Sequence, residues 1–293
     1  MGSGISSFTD DQARARFLAA YERAMEFWPR PREERDVPTR FGTTRVYGYG
    51  NAEGVPLVLL PGANATPAVW ASSVAAFAED RPVLAVDRVG EPGRSTQTAP
   101  IRSAEATADW LEEVLAGLGV DRVHLAGISY GAWVALNQAV RLPDRIVSLT
   151  LAEPAQALAP LKPGFLLSAV AAMVSGSEDF RRRWFGKIVG DTGESPECAE
   201  AQARLVVEAM RGFRGRLLPP RKVGDDELRS VTAPVLVLLG GASRAIDARR
   251  AEARARLLPN ARTEVVPGAG HAIPVSVLNS RVPAFVRDAE TGR

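Results

Sequence analysis

Cysteine, histidine and lysine are scarce in this chain. Of 293 residues one is cysteine, Cys198, and two are histidine, His124 and His271. A single cysteine rules out a disulfide within the chain and a cysteine-rich structural metal site. Lys162, Lys187 and Lys222 are the only lysines among 36 basic residues. The remaining 33 are arginines, set against 34 acids for a net charge of +2, so the pI of about 8.9 reflects a small arginine excess and not a basic face. Basic and acidic residues alternate, aromatics make up only 6%, and no basic-aromatic platform is visible, which argues against a nucleic-acid partner. Long apolar runs are missing as well. The most apolar stretch, Phe165 to Val174, falls far short of the roughly 20 residues that span a bilayer, so no membrane insertion is expected. The first residues show no charged segment followed by an apolar core, so no signal peptide is expected and the default setting is reducing and cytoplasmic.

What is present is an ordinary globular balance, 46% hydrophobic and 24% charged, in a chain long enough for one large α/β domain or two small ones. Residues 1–8 read as a loose tail. Apolar residues at Phe17, Leu18, Tyr21, Met25 and Trp28 predict a helix, capped by Thr9 or Asp10 and stopped by Pro29 and Pro31. Val37–Phe41 and Arg45–Tyr49 predict a hairpin. Strand and helix then alternate: strand Val55–Leu60, helix Pro67–Ala78, strand Pro82–Val86, helix Ser103–Leu118, a strand from Val123, a helix to Leu142, and strand Ile146–Leu151. The alternation lapses over residues 155–225. Three helical segments stand there, Pro163–Val174, Glu178–Val189 and Glu197–Phe213. It resumes with strand Pro234–Leu239, helix Asp247–Leu258, strand Arg262–Val266 and a final helix from Val275 to about Glu290. Such alternation predicts an α/β fold with a mostly parallel sheet covered on both faces. The expected organisation is an N-terminal helical segment (1–35), a core made of 36–154 and 226–293, and an inserted helical cap (155–225).

The stretch Gly127-Ile128-Ser129-Tyr130-Gly131-Ala132 joins an apolar strand to a helix. G-x-S-x-G in that context is a nucleophile elbow, in which small neighbours let a serine sit on a strained turn. The turn leaves the Tyr130 amide at a helix N-terminus, where it can face an oxyanion. A serine hydroxyl needs a base. His124, on the strand leading into the elbow, reads as a core histidine, so His271, in a glycine-rich loop after the last strand, is the candidate by elimination. The imidazole in turn needs an acid. Glu153 and Asp247 both follow core strands and both are candidates, Asp247 also reading as a helix N-cap. A second oxyanion donor is available in the Ala63 amide of the turn Gly62-Ala63-Asn64.

At these residues the chain resembles the α/β-hydrolase fold superfamily, over roughly residues 36 to 290, and serine esterases and lipases within it. Gly127–Gly131 matches the elbow, and Gly270-His271 matches the histidine loop. Asp87 to Ser95 is similar to the family's Asp-x-x-Gly-x-Gly-x-Ser loop with one extra residue. Pro61-Gly62 stands where the family usually has His-Gly, so the resemblance carries the oxyanion role to Ala63. The acid departs from the pattern: Ser243 occupies the place, three residues past Gly240, where the family usually has aspartate. Certain haloalkane dehalogenases carry the acid at the end of the preceding core strand, where Glu153 stands, which favours Glu153 over Asp247. The resemblance implies a serine hydrolase cleaving an ester-like acyl bond of a small molecule, with no cofactor and no metal. Phe165, Leu166, Met173, Trp184, Phe185 and Met210 of the cap are expected to line an apolar pocket. A thioesterase, lactonase or acyltransferase, a non-catalytic hydrolase-fold binding protein, and a homo-oligomer all remain open on the sequence.

Overall fold

The structure, a computed structural model, describes residues 4–50 and 53–292. In chain order the elements are β1 (Ser7–Phe8), α1 (Asp11–Met25), β2 (Glu33–Thr39), β3 (Gly42–Tyr49), β4 (Leu57–Leu60), α2 (Val74–Phe77), β5 (Val83–Asp87), β6 (Thr96–Gln97), α3 (Ala104–Gly117), β7 (Val123–Ile128), α4 (Tyr130–Arg141) and β8 (Ile146–Ala152). There follow α5 (Pro163–Val174), α6 (Glu178–Val189), α7 (Pro196–Gly212), β9 (Phe213–Arg214), α8 (Asp225–Arg229), β10 (Val235–Gly240), α9 (Ala248–Ala255), β11 (Ala261–Val266) and α10 (Val275–Thr291). The main sheet runs β11-β10-β8-β7-β4-β5-β3-β2, with β6 beside β3. From β11 to β5 every pairing is parallel, and β3 and β2 extend the sheet antiparallel. This is the mostly parallel, helix-flanked α/β architecture that the alternation predicts.

The central strands read as unbroken apolar runs because both of their faces are buried. Leu57–Leu60 and Val235–Leu239 are all at most 5% exposed. One core lies between the sheet and α3 and α4, around Trp110, Trp133, Leu111 and Leu136. The other lies under α1, α2 and α10, around Phe17, Trp28, Trp70 and Phe285. After β4 the chain places β5 on one side and then crosses to β7 on the other. That reversal opens a crevice at the C-terminal ends of β4 and β7, the place where open α/β sheets bind ligands.

Three expectations need correction. The described part of the supposed tail is not loose: Ser7 and Phe8 pair antiparallel with Arg214 and Phe213, a match between distant segments that local pattern cannot reveal, while residues 1–3 lie outside the described residues. The expected helix Pro67–Ala78 is instead a 3-10 turn (Pro67–Trp70) followed by the four-residue α2. Tertiary bonding breaks it, because Trp28 Nε1–H donates to the Pro67 carbonyl and Asn279 Nδ2–H to the Ser72 carbonyl. Leu166 is 46% exposed and faces solvent. Each helical residue turns about 100° from its neighbour. With Phe165 and Ala169 turned to the cavity and Ala172 buried on the inner face of α5, Leu166 is carried outward.

Candidate active site

Ser129 follows β7 directly and precedes α4, at φ +53° and ψ −113°. That region is costly for a side chain with a Cβ and is held only by its surroundings. The surroundings are specific. The Ser129 N–H donates to the Ala152 carbonyl at the end of β8. A Cβ on Gly127 would come within 2.4 Å of the Gly131 backbone, and one on Gly131 within 2.1 Å of the Leu60 carbonyl oxygen. Both positions therefore require glycine, and the turn is locked against β4.

His271 stands in the loop between β11 and α10, and the cap grips that loop. The His271 N–H donates to the Ile188 carbonyl at 2.9 Å and the Ala272 N–H to Val189 at 3.2 Å, both at the end of α6. The imidazole reaches two partners, with Nδ1 2.8 Å from Glu153 Oε2 and Nε2 3.0 Å from Ser129 Oγ. A carboxylate only accepts, so Nδ1–H is the donor and the Nε2 lone pair is left to accept from the serine hydroxyl. Glu153 ends β8 at φ +50° and is fully buried. Its Oε1 accepts from the Gly240 N–H at 2.7 Å, and its Oε2 also accepts from the Ser243 hydroxyl at 2.5 Å.

Beside the elbow, Gly62–Ala65 forms a turn with Asn64 at φ +55°. Ala63 is exposed toward a cavity of about 340 Å³ that Ser129 and His271 also line. As the first residue of α4, Tyr130 has an N–H with no intrahelical acceptor. Its side chain is fixed away from the cavity: the hydroxyl donates to the Leu218 carbonyl at 2.9 Å, and burial pushes the phenol up to about 12. A hydroxyl, an imidazole with a free lone pair, a buried carboxylate and two amides at a strand-helix crevice together can take a proton from an attacking oxygen and stabilise an anion beside it.

Residues 57–288 match the model of the alpha/beta hydrolase family. The chain belongs to this family. Among its relatives is the carboxylesterase YbfK of Bacillus subtilis, 29% identical, with 95% of this chain and 96% of that protein aligned. The crystal structure of that carboxylesterase superposes with a TM-score of 0.84 at 26% identity, covering 96% of this chain and 99% of the other. The crystal structure of naproxen esterase from the same organism gives 0.83 at 26% identity, covering 95% and 98%.

Within this family framework the acid position has an explanation. Ser243 stands where the family's aspartate is usual, and its hydroxyl bonds the carboxylate that reaches the histidine from β8 instead. Asp247 does not approach His271; its Oδ1 accepts from the Arg250 N–H at 3.2 Å and caps α9. His124 is fully buried, bonded through Nδ1 to Ser148 Oγ at 2.8 Å and through Nε2 to Glu290 Oε1 at 3.1 Å. Phe165, Met173, Trp184, Phe185 and Met210 line the cavity.

Two neighbours of the site escaped the sequence reading, Arg88 and Glu91. They form a buried ion pair at 2.8 Å. Glu91 Oε2 accepts from the Asn64 N–H at 2.7 Å, and the Arg88 guanidinium lies 4.2 Å from the Tyr130 ring centroid. Burial pushes the Glu91 carboxyl up, while Arg88 and the Asn64 N–H pull it back. The pair thus touches both segments that carry the amides. The one available signal was the absence of the usual histidine before Gly62, which left the loop needing another brace.

Proposed function

We propose that the chain is a serine hydrolase that cleaves carboxylic esters of small molecules. Ser129 attacks the acyl carbon while His271 Nε2 takes its proton. Glu153 holds the Nδ1–H tautomer and balances the imidazolium as it forms. The Ala63 and Tyr130 amides donate to the oxyanion. The tetrahedral adduct collapses, His271 returns the proton to the departing alcohol, and an acyl-enzyme remains on Ser129. Water, activated by the same imidazole, then releases the acid.

The unbroken chain Glu153–His271–Ser129, with bonds of 2.8 and 3.0 Å, is the observation that carries this reading. The full-length likeness to the Bacillus carboxylesterase supports esters as the substrate class. The idle-binding-protein alternative rested on the missing aspartate at 243, and the Ser243–Glu153 bond removes that ground. No observation favours a thioester, a lactone or acyl transfer. A fluorophosphonate probe should label Ser129 in the wild type and not in Ser129→Ala. A folded wild type that resists the probe and leaves p-nitrophenyl esters intact would overturn the proposal.

A further inference from the structure

The cavity over Ser129 is lined mostly by apolar side chains, with Asn64, Thr66, Ser73, Thr192 and Gln202 as neutral polar members of the wall beside Ser129 and His271. Glu194, in the turn between α6 and α7, contributes the only carboxylate of that wall among the described residues. The turn is held rigidly, since the Val275 N–H donates to the Thr192 carbonyl at 2.9 Å just as Ala272 donates to Val189. The carboxylate itself is held from three parts of the chain. Oε1 accepts from the Ser72 hydroxyl at 3.0 Å, the Gln202 amide at 2.9 Å and, more weakly, the Cys198 thiol at 3.7 Å, and Oε2 accepts from the Thr192 hydroxyl at 3.3 Å. All four donors are neutral, and no cationic side chain pairs with Glu194 among the described residues.

A half-buried anion beside an apolar cavity is poorly solvated, and cap-to-core bonding of this kind could be met by a neutral amide. A carboxylate offers about four acceptor sites. Two strong donors occupy Oε1, whereas Oε2 has a single long bond and keeps capacity to accept. The aromatic side chains of Trp184, Phe165 and Phe185 line the same cavity, with the Phe165 and Trp184 rings 6.2 Å apart. Aromatic faces attract cations through their negative quadrupole, most strongly when water is excluded. A carboxylate and aromatic faces in one cavity are the two elements from which alkylammonium sites are built.

We propose that the ester bound here carries an ammonium group, docked between Glu194 and the cap aromatics while its carbonyl lies at Ser129. The inference rests on the ester-hydrolase reading and names the substrate class of that site. It also disfavours esters bearing a free carboxylate, which Glu194 repels. The ammonium takes no part in the chemistry; it sets KM and the choice among esters.

The test uses matched pairs that differ only in charge. In one pair the cation is on the alcohol, a trimethylammonioethyl ester against the 3,3-dimethylbutyl ester of the same acid. In the other it is on the acyl part, a trimethylammonio-acyl ester against its tert-butyl isostere. In at least one pair the wild type should prefer the cation by about tenfold or more in kcat/KM, the size of one close charge contact. In Glu194→Gln that ratio should fall to near one. The ratio is internal to each preparation, so a loss of folded protein does not move it. Ratios at or below one in both pairs, or a preference that survives Glu194→Gln, overturn the inference. Should no ester be turned over, the function proposed above fails, and calorimetric titration of Ser129→Ala with the same pairs still reads the cation preference by itself.

Discussion

At the scale of single residues, two carboxylates competed for one role, and geometry separates them. Under the proposed mechanism, Glu153→Gln keeps the shape but removes the charge that would balance the imidazolium, and it can present an N–H where an acceptor is needed. A fall of about 10³ to 10⁴-fold in kcat/KM on a p-nitrophenyl ester is expected. Asp247→Asn retains a good N-cap, so activity should stay within about threefold and stability within about 0.5 kcal/mol. Equal losses in the two variants would contradict the assignment. The Arg88–Glu91 pair gives a second residue-scale expectation. Removing one partner strands a buried charge, at about 3–5 kcal/mol, whereas replacing both with apolar residues of like volume is far milder. The double variant Arg88→Met/Glu91→Leu should therefore fold, yet leave the Asn64 N–H without its acceptor and the Ala63 amide less well aimed. An interaction made only with the oxyanion shows in kcat and not in KM, so kcat should drop by about tenfold or more at constant KM. A double variant with unchanged kcat would show that the loop aims itself.

At the scale of elements, much of the fold was legible because each signal was local. The bounds of α5 and α6 agree with the sequence reading to the residue. Pro163 begins α5, Ser177 caps α6 by accepting from the Phe180 N–H, and Gly190 ends it at positive φ. The elbow was legible for the same reason, since its glycines, serine and flanking strand and helix lie within one short stretch. What stayed hidden depends on distant partners. The β1–β9 pairing, the break after Trp70, the Ser243 bond to Glu153 and the Glu91 brace each join segments that nothing in a local pattern connects. The same is true of α1, which packs against α7 of the cap at Ala13 and Gly212. A Cβ on Gly212 would lie 2.7 Å from that of Ala13. Gly212→Val should overpack this contact, destabilise by about 1–3 kcal/mol and loosen α1. Limited proteolysis should then cut near Pro29 sooner than in the wild type, and unchanged resistance would argue that α1 is held elsewhere. Leu167, 74% exposed on the outer face of α5, is the control, and Leu167→Ser should shift the unfolding midpoint hardly at all.

At the scale of the whole molecule, two buried groups outside the site pull its pH dependence in opposite directions. Asp87 ends β5 without exposure, and burial raises its carboxyl to about 7. Tyr21 O–H from α1 donates to Oδ2 at 3.1 Å and the Arg94 N–H at 2.6 Å, and the Arg45 and Arg94 guanidinium groups also favour the charged form. Oδ1 abuts Gly93 and has no hydrogen-bond partner among the described residues. In the unfolded chain the same carboxyl ionises near 3.9. Between those values the native state holds a proton that the unfolded state has released. Stability from this group is therefore full below about 4, falls as pH rises at up to about 1.4 kcal/mol per unit, and is gone above about 7. His124 acts the other way. Burial lowers its imidazole, outweighing the pull of Glu290, so the native ring stays neutral where the unfolded one protonates, and stability is lost as pH falls below about 6.5. Asp87→Asn removes the first slope and leaves the second. Denaturant unfolding at intervals from pH 5 to 8 should show the variant gaining stability with pH relative to the wild type, most steeply between 5 and 7. A difference between the two proteins that stays constant across that range would mean that Asp87 is ionised in the native state throughout, with the Tyr21 and Arg94 donors outweighing its burial.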